Sequence, residues 1–296
     1  MSYAGEICSL ASALVWAVAV VLFRKSGESV PPVALNLFKN AAALVLPVPT
    51  LLVAGIELVP AGVPAGVWLR LLLSGVVAIG IADSVQFASL NLLGAGRTAV
   101  VDCLYSPLVV LAAALVLAEP IGPALVGGLA LMVAAILLES GRPAGGTPAA
   151  ERRRVRLGVA LGVLAMLAMA VGIVLAKPAL SGVPVLWATA VRLAGGTAFV
   201  AVQGLLPRHR AAVAQAFTPS RMWRVTVPAA VLGNYLAMIV WLVGMKYAPA
   251  SVAAVLNQTT TLFIPLLAAP MLGERLTARR LGAVGMGFAG AVIVIL

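Results

Sequence analysis

Ten apolar stretches alternate along the chain with short polar joints. They cover residues 3–24, 33–55, 67–90, 97–118, 123–140, 157–177, 184–206, 223–245, 250–272 and 278–296. A helix that crosses a bilayer needs about 20 mostly apolar residues. The pattern therefore predicts about ten transmembrane helices, here spans 1 to 10. Between them lie SGESVPP, AGIELVPAGVPAG, LGAG, EPIGP and SGVP, combinations that stop helices and start turns. The longest polar stretch, ESGRPAGGTPAAERRRVR, reads as a flexible linker.

The pattern also repeats. Placing Glu119 over Glu274 aligns 95–138 with 250–293 without a gap, LVLAEPIGPALVGG over PMLGERLTARRLGA. The same offset sets Trp68 on Trp223. A shift of two residues aligns the first two spans of each half, with VVLFRK on IVLAKP, Pro31 on Pro184 and Lys39 on Arg192. The reading is a duplicated all-α membrane protein, with residues 1–140 as one five-helix repeat, 141–156 as linker and 157–296 as the second repeat. Five spans per half is an odd number, so the second copy lies inverted, an arrangement common in transporters.

Composition agrees. The 296 residues are 62% hydrophobic and 10% charged, with mean hydropathy +1.12, whereas a soluble domain carries about 25% charged residues. The formal charge of +11 raises the question of nucleic acid, but the positives gather in the joints, where orientation signals belong. No nucleic-acid partner is expected. The first apolar stretch lacks a basic leading region and reads as a retained helix rather than a cleaved signal. Joints 1–2, 3–4, 5–6, 7–8 and 9–10 face one side and hold 15 of the 20 Lys and Arg; the other side holds Arg70, Lys177 and Lys246. Cytoplasmic loops carry the excess of Lys and Arg. This places the chain in the cell membrane, with the RRRVR linker inside and both ends outside.

Charge inside hydrocarbon is costly unless paired or facing a cavity. Lys39, Asp83, Asp102 and Arg192 are such charges, while Glu6 lies near a span end and can reach the interface. Asn36, Lys39 and Asn40 are spaced i, i+3, i+4 and share one helix face. Lys39, Asp83 and Asp102 fall at similar depth, so a Lys–Asp pair or triad fits. Snorkelling of Lys39 along its carbon stem and a purely structural ion pair remain open beside a substrate or coupling role. Arg192 has Asn257 and Met238 where the first half has Asp102 and Asp83. A guanidinium without a matched carboxylate suits a carboxylate or phosphate on a substrate. Asn257, Gln258, Thr259, Thr260 and Thr261 form a polar run matched to Asp102, Tyr105 and Ser106. Trp16, Tyr105, Tyr235 and Trp241 are candidates to line a pocket, and Asp102 is a candidate proton-coupling carboxylate. Trp68 and Trp223 read as interface anchors. Pro107, Pro228 and Pro265 fall inside spans, where proline kinks. Ala283, Gly287 and Ala291 mark a face suited to close helix contact, within or between chains.

Other chemistry finds little support. Cys8 and Cys103 offer no disulfide framework or metal spacing. There is no G-x-S-x-G, H-E-x-x-H, phosphate loop or His/Cys cluster, so no catalytic residue, metal or cofactor is expected. Two remote alternatives stay open: an intramembrane enzyme built on Asp83 and Asp102, and a non-transporting receptor.

The two five-helix halves, the proline start followed by a basic residue in spans 2 and 7, and the glutamates of AEPIGP and GERLTARR resemble the drug/metabolite transporter superfamily, in particular its EamA-type members. The resemblance covers nearly the whole chain and rests on the arrangement rather than on one motif. It implies a ten-helix basket around a central cavity and alternating access for small metabolites such as amino acids. It would place Asn257, Thr260, Asp102 and Tyr105 at the cavity, with Lys39 and Arg192 close by. Members are usually described with both ends in the cytoplasm, opposite to the charge count here. The expected function is secondary transport of a small polar, carboxylate-bearing or zwitterionic metabolite, with protons as candidate coupling ion, by a monomer or homodimer. The alternative is transport of organic cations by Asp83 and Asp102.

Overall fold

The computed structural model describes residues 4–117, 123–140, 149–180, 182–247 and 256–295. Glu119, the first half of the linker and the start of span 9 lie outside these residues. The described residues contain helices and no strand, as hydrocarbon demands of backbone that must satisfy its own hydrogen bonds. In chain order the α-helices are α1 (Ala4–Ser26), α2 (Pro32–Leu44), α3 (Pro47–Val53), α4 (Ala65–Gly75), α5 (Asp83–Leu93), α6 (Ala95–Asp102), α7 (Tyr105–Leu117), α8 (Pro123–Ser140) and α9 (Ala149–Leu180). There follow α10 (Val185–Gly204), α11 (Pro207–Phe217), α12 (Trp223–Ala230), α13 (Met238–Tyr247), α14 (Thr260–Leu272) and α15 (Ala278–Ile295). Prolines open α2, α3 and α11, positions where the missing N–H is not needed and the fixed φ already suits a helix.

Among the described residues six helical runs are long and apolar enough to cross a membrane: Ala4–Ser26, Pro32–Val53, Ala65–Leu93, Ala149–Leu180, Val185–Gly204 and Trp223–Trp241. The remaining helices are shorter pieces. Spans expected to be continuous are interrupted, and the interruptions match between the halves. Val76–Ala82 joins α4 to α5 as a π-helix, and Val231–Ala237 joins α12 to α13 in the same form. The two segments are equal in length and stand at the offset that superposes the repeats. Span 4 breaks at Cys103 and Leu104, between α6 and α7, and span 9 breaks at the matching Thr259, just before α14. A π turn leaves carbonyls turned away from their usual partners, and other helices supply donors. Asn36 Nδ2 donates to the carbonyls of Ile79 and Gly80, both at 3.0 Å, and Ser12 Oγ donates to that of Ala237 at 2.9 Å.

Contacts gather the five arginine-bearing joints at one end of the bundle. Thr226 Oγ1 donates to Ser26 Oγ at 2.9 Å, Arg154 donates to the Asn91 carbonyl at 3.3 Å, and Glu274 accepts from the amides of Ala95 and Gly96. Arg279 donates to the Leu138 carbonyl. Beneath this end lies a core drawn from both halves, including Val21, Phe23, Leu35, Leu90, Ala99, Ala229, Ile264 and Ala268.

Elsewhere helices meet through small residues. A Cβ on Gly75 would lie 1.8 Å from the Arg192 carbonyl oxygen, and one on Gly195 would lie 2.6 Å from that of Leu72. Thus α4 and α10 touch backbone to backbone, the close approach that glycine permits in membranes. The small-residue face of α15 is used within the chain: a Cβ on Gly287 would meet Cys103 Sγ, and one on Gly290 would meet the Gly128 carbonyl of α8. The side chain of Ala291 lies outside the described set. Trp68 packs edge-on against Trp187, centroids 4.7 Å apart, and Trp223 packs against Phe38 at 5.1 Å. Both rings expected at the lipid interface thus hold contacts inside the protein.

Candidate functional site

A cavity of about 220 Å³ lies between the halves. Its wall comes from α1, α2, the two π segments with α5 and α13, the break between α6 and α7, the middle of α9, α10, and the start of α14. The irregular backbone therefore surrounds the cavity, where π segments and broken helices commonly serve function.

Lys39 is 1% exposed and its ammonium sits 2.6 Å from Asp83 Oδ2. It also donates to Asn40 Oδ1 at 2.9 Å and stands 5.5 Å from the centroid of Phe87. The snorkelling alternative is thereby overturned, because Lys39 turns inward to a carboxylate. Asn40 donates to Asn36 Oδ1 at 2.9 Å, and Asn36 in turn reaches Ser84 Oγ at 2.8 Å besides the two π carbonyls. Asn234 Nδ2, from the second π segment, donates to Asn40 Oδ1 at 2.7 Å. Lys39 and Asp83 reach the cavity wall, while Asn36 and Asn40 are wholly buried behind it. The asparagines thus hold the Lys–Asp pair in place and tie the halves together.

Asp102 does not join a triad. Its carboxylate accepts from Gln86 Nε2 at 2.7 Å, and among the described residues no cation pairs with it. Gln258 donates to the Asp102 carbonyl at 3.4 Å and accepts from Ser106 Oγ at 2.9 Å. Asp102, Tyr105, Asn257, Gln258 and Thr260 line the cavity, and Ser106 stands behind Gln258. Thr260 shares its hydroxyl between the carbonyls of Asn257 and Ala13, at 2.7 and 3.2 Å. The bond to Asn257 satisfies a carbonyl at the break before α14, and the bond to Ala13 ties that break to α1.

Arg192 is 5% exposed and lines the same cavity. Its Nε donates to Ser74 Oγ at 3.0 Å, and Ser74 donates to the Gly172 carbonyl at 2.6 Å. Among the described residues neither Nη group has a hydrogen-bond partner. Tyr235 is absent from the wall; its hydroxyl hydrogen-bonds that of Thr50. Glu6, expected to reach the interface, has Oε2 buried without a hydrogen-bond partner among the described residues.

Sequence reasoning missed Ser12, Ser74, Gln86 and Asn234. Gln86 carried a usable signal, since it stands three residues after Asp83 and so on the same face. Gln86 Oε1 and Asn234 Oδ1 are buried acceptors with no partner among the described residues, and both residues line the cavity. Trp16, Phe23, Phe87, Met166 and Trp241 supply much of the apolar wall. No group of His, Cys, Asp and Glu that could hold a metal occurs among the described residues.

Comparison with known proteins separates fold from function. No curated protein matches the sequence. A solved structure titled only as the crystal structure of a protein superposes with TM-score 0.68 at 19% identity, over 99% of this chain and 96% of that one. At that identity the likeness concerns the fold alone. A family model described as "EamA-like transporter family" matches twice, over residues 3–140 and 156–296. With nearly the whole chain taken in by those two matches, and with helices apolar enough for several membrane crossings, this multi-pass membrane protein belongs to the EamA-like transporter family.

Proposed function

We propose that the protein is a secondary active transporter that moves a small carboxylate-bearing metabolite, most simply a zwitterion, by alternating access of two inverted five-span halves. The observation that carries this reading is Arg192, a buried guanidinium fixed by Nε while both Nη groups lack a partner among the described residues. A planar fork with two free donors fits a carboxylate. Asp102 and the open Gln86 Oε1 suit an ammonium group on the same molecule. The aromatic and methionine wall suits an apolar body.

Asp102 is also the carboxylate best suited to carry a coupling proton, because Lys39 already holds Asp83. The charge asymmetry of the joints favours both chain ends outside. The inward use of the α15 glycines favours action as a monomer.

A second reading is supported by the same open acceptors: an organic cation bound at Asp102 without use of Arg192. The deciding experiment is ligand-induced thermal shift on purified protein, wild type and Arg192→Ala, against amino acids, organic acids, sugar phosphates and organic cations. A ligand that binds only the folded state raises its stability. A shift with carboxylates that is lost in Arg192→Ala supports the first reading. A shift with cations alone, unchanged in Arg192→Ala, replaces it by the second.

A further inference from the structure

Resting on the transport reading, we propose that Glu274 is the latch that keeps the arginine-rich end of the bundle closed, and that its release from α6 opens that end to the cavity. Glu274 follows α14 in the second half, after a turn at Gly273 with φ of 68°. Its carboxylate crosses to the first half. Oε1 accepts from the amide of Ala95 at 2.7 Å and Oε2 from that of Gly96 at 3.0 Å, the first two residues of α6. The first amides of a helix have no acceptor in their own helix, and a carboxylate there makes charge-assisted bonds along a favourable dipole. Arg280 Nη1 stands 3.3 Å from Oε2.

The seat is shaped for this contact. Gly94 has φ of 80°, and a Cβ there would fall 2.9 Å from Glu274 Oε1; one on Gly96 would fall 2.7 Å from Arg280 Nη1. A cap within one half would only finish a helix. This cap joins the halves, beside the second crossing from Thr226 to Ser26. Under both lies the buried core drawn from the two halves, and four of its members, Phe23, Phe87, Leu90 and Ile264, also line the cavity. The core is thus the floor of the cavity and the plug of this end. Asp102 lies seven residues along α6 from Ala95, about 10 Å, and the chain breaks just after it. Releasing Glu274 frees α6 to swing about Cys103 and Leu104, carrying Asp102 with it.

The test places one cysteine in the plug, away from the latch. Ala229 of α12 is wholly buried there. Ala229→Cys is built with Cys8→Ser and Cys103→Ala, reconstituted in vesicles, and labelled without substrate by a membrane-impermeant maleimide applied at the arginine-rich end. Glu274→Ala is expected to raise the labelling rate about tenfold or more through a shift of population, with Glu274→Gln giving a smaller rise. Unchanged labelling in monodisperse Glu274→Ala overturns the proposal, because fraying confined to α6 would leave Ala229 covered. If Glu274→Ala does not fold, Glu274→Gln decides: no rise there overturns the latch. Failure of the transport reading looks different, since labelling would respond to Glu274 while no compound was exchanged.

Discussion

Lys39 and Arg192 occupy matching places in the two halves, yet they hold opposite kinds of partner. Lys39 is closed on Asp83 at 2.6 Å, whereas Arg192 binds the neutral hydroxyl of Ser74 through one nitrogen. A duplicated chain has thus kept two buried cations and satisfied only one of them with a carboxylate of its own among the described residues.

Arg192→Ala should therefore weaken carboxylate binding while leaving the protein folded. Loss of a bidentate anchor should weaken binding about tenfold or more, or at least about 1.4 kcal/mol. Titration of a responsive carboxylate by thermal shift or calorimetry checks this. Arg192→Lys should recover only part, since an ammonium cannot present the planar fork.

Lys39→Ala leaves Asp83 with a buried charge and should cost about 3–5 kcal/mol, as breaking buried pairs does. Lys39→Met with Asp83→Leu should recover most of that loss, because an apolar pair carries no desolvation penalty. Apparent Tm in detergent for the single and double variants reads the difference.

Asp102→Asn keeps shape and removes charge. The variant should lose its preference for an amino acid over the matching hydroxy acid, while Arg192 still holds both carboxylates. Equal discrimination by Asp102→Asn and wild type in a competition assay would move the ammonium site elsewhere.

Gly75→Ala forces a methyl group against the Arg192 carbonyl, and the α4–α10 contact must part. Overpacking of this kind costs about 1–3 kcal/mol. Gly66→Ala, with open space around it, should stay within about 0.5 kcal/mol. Unfolding temperatures of the two variants give the comparison.

Much of this architecture was legible because hydrocarbon imposes a strong pattern. The all-helical build, the offset between halves and the burial of Lys39 on one face with Asn36 and Asn40 all follow from apolar periodicity and the penalty for charge. The breaks were not legible. Only Pro107 hinted at one of them, since its missing N–H falls on the Cys103 carbonyl; Thr259 carries no helix-stopping signal, and neither the apolar Val76–Ala82 nor Val231–Ala237, with its Asn234 and Tyr235, has a residue that dictates a π turn. What sustains them is tertiary: Asn36 and Ser12 reach in from other helices to bond the displaced carbonyls. Asp102 likewise read as a possible third member of the Lys39 cluster from depth alone, because depth does not give azimuth. Gln86, an uncharged partner, claims it instead. Tyr235 shared a span with cavity residues but points to Thr50 for the same reason.

The matched π segments also act as phase shifters. A π turn takes up about one residue more than an α turn, so everything after it is rotated by roughly 100° relative to an uninterrupted helix. Asp83 and Met238 are the first residues past the two shifters, so their aim is set by the count of residues upstream. Winding Val76–Ala82 as an α-helix of the same length would swing the Asp83 carboxylate off the Lys39 ammonium, whereas deleting one residue there would restore α-helical winding and leave that aim unchanged. Residue count and winding inside these segments are therefore one determinant of the site, and a change in either that the other does not offset would rewrite its chemistry as surely as substitutions in the wall.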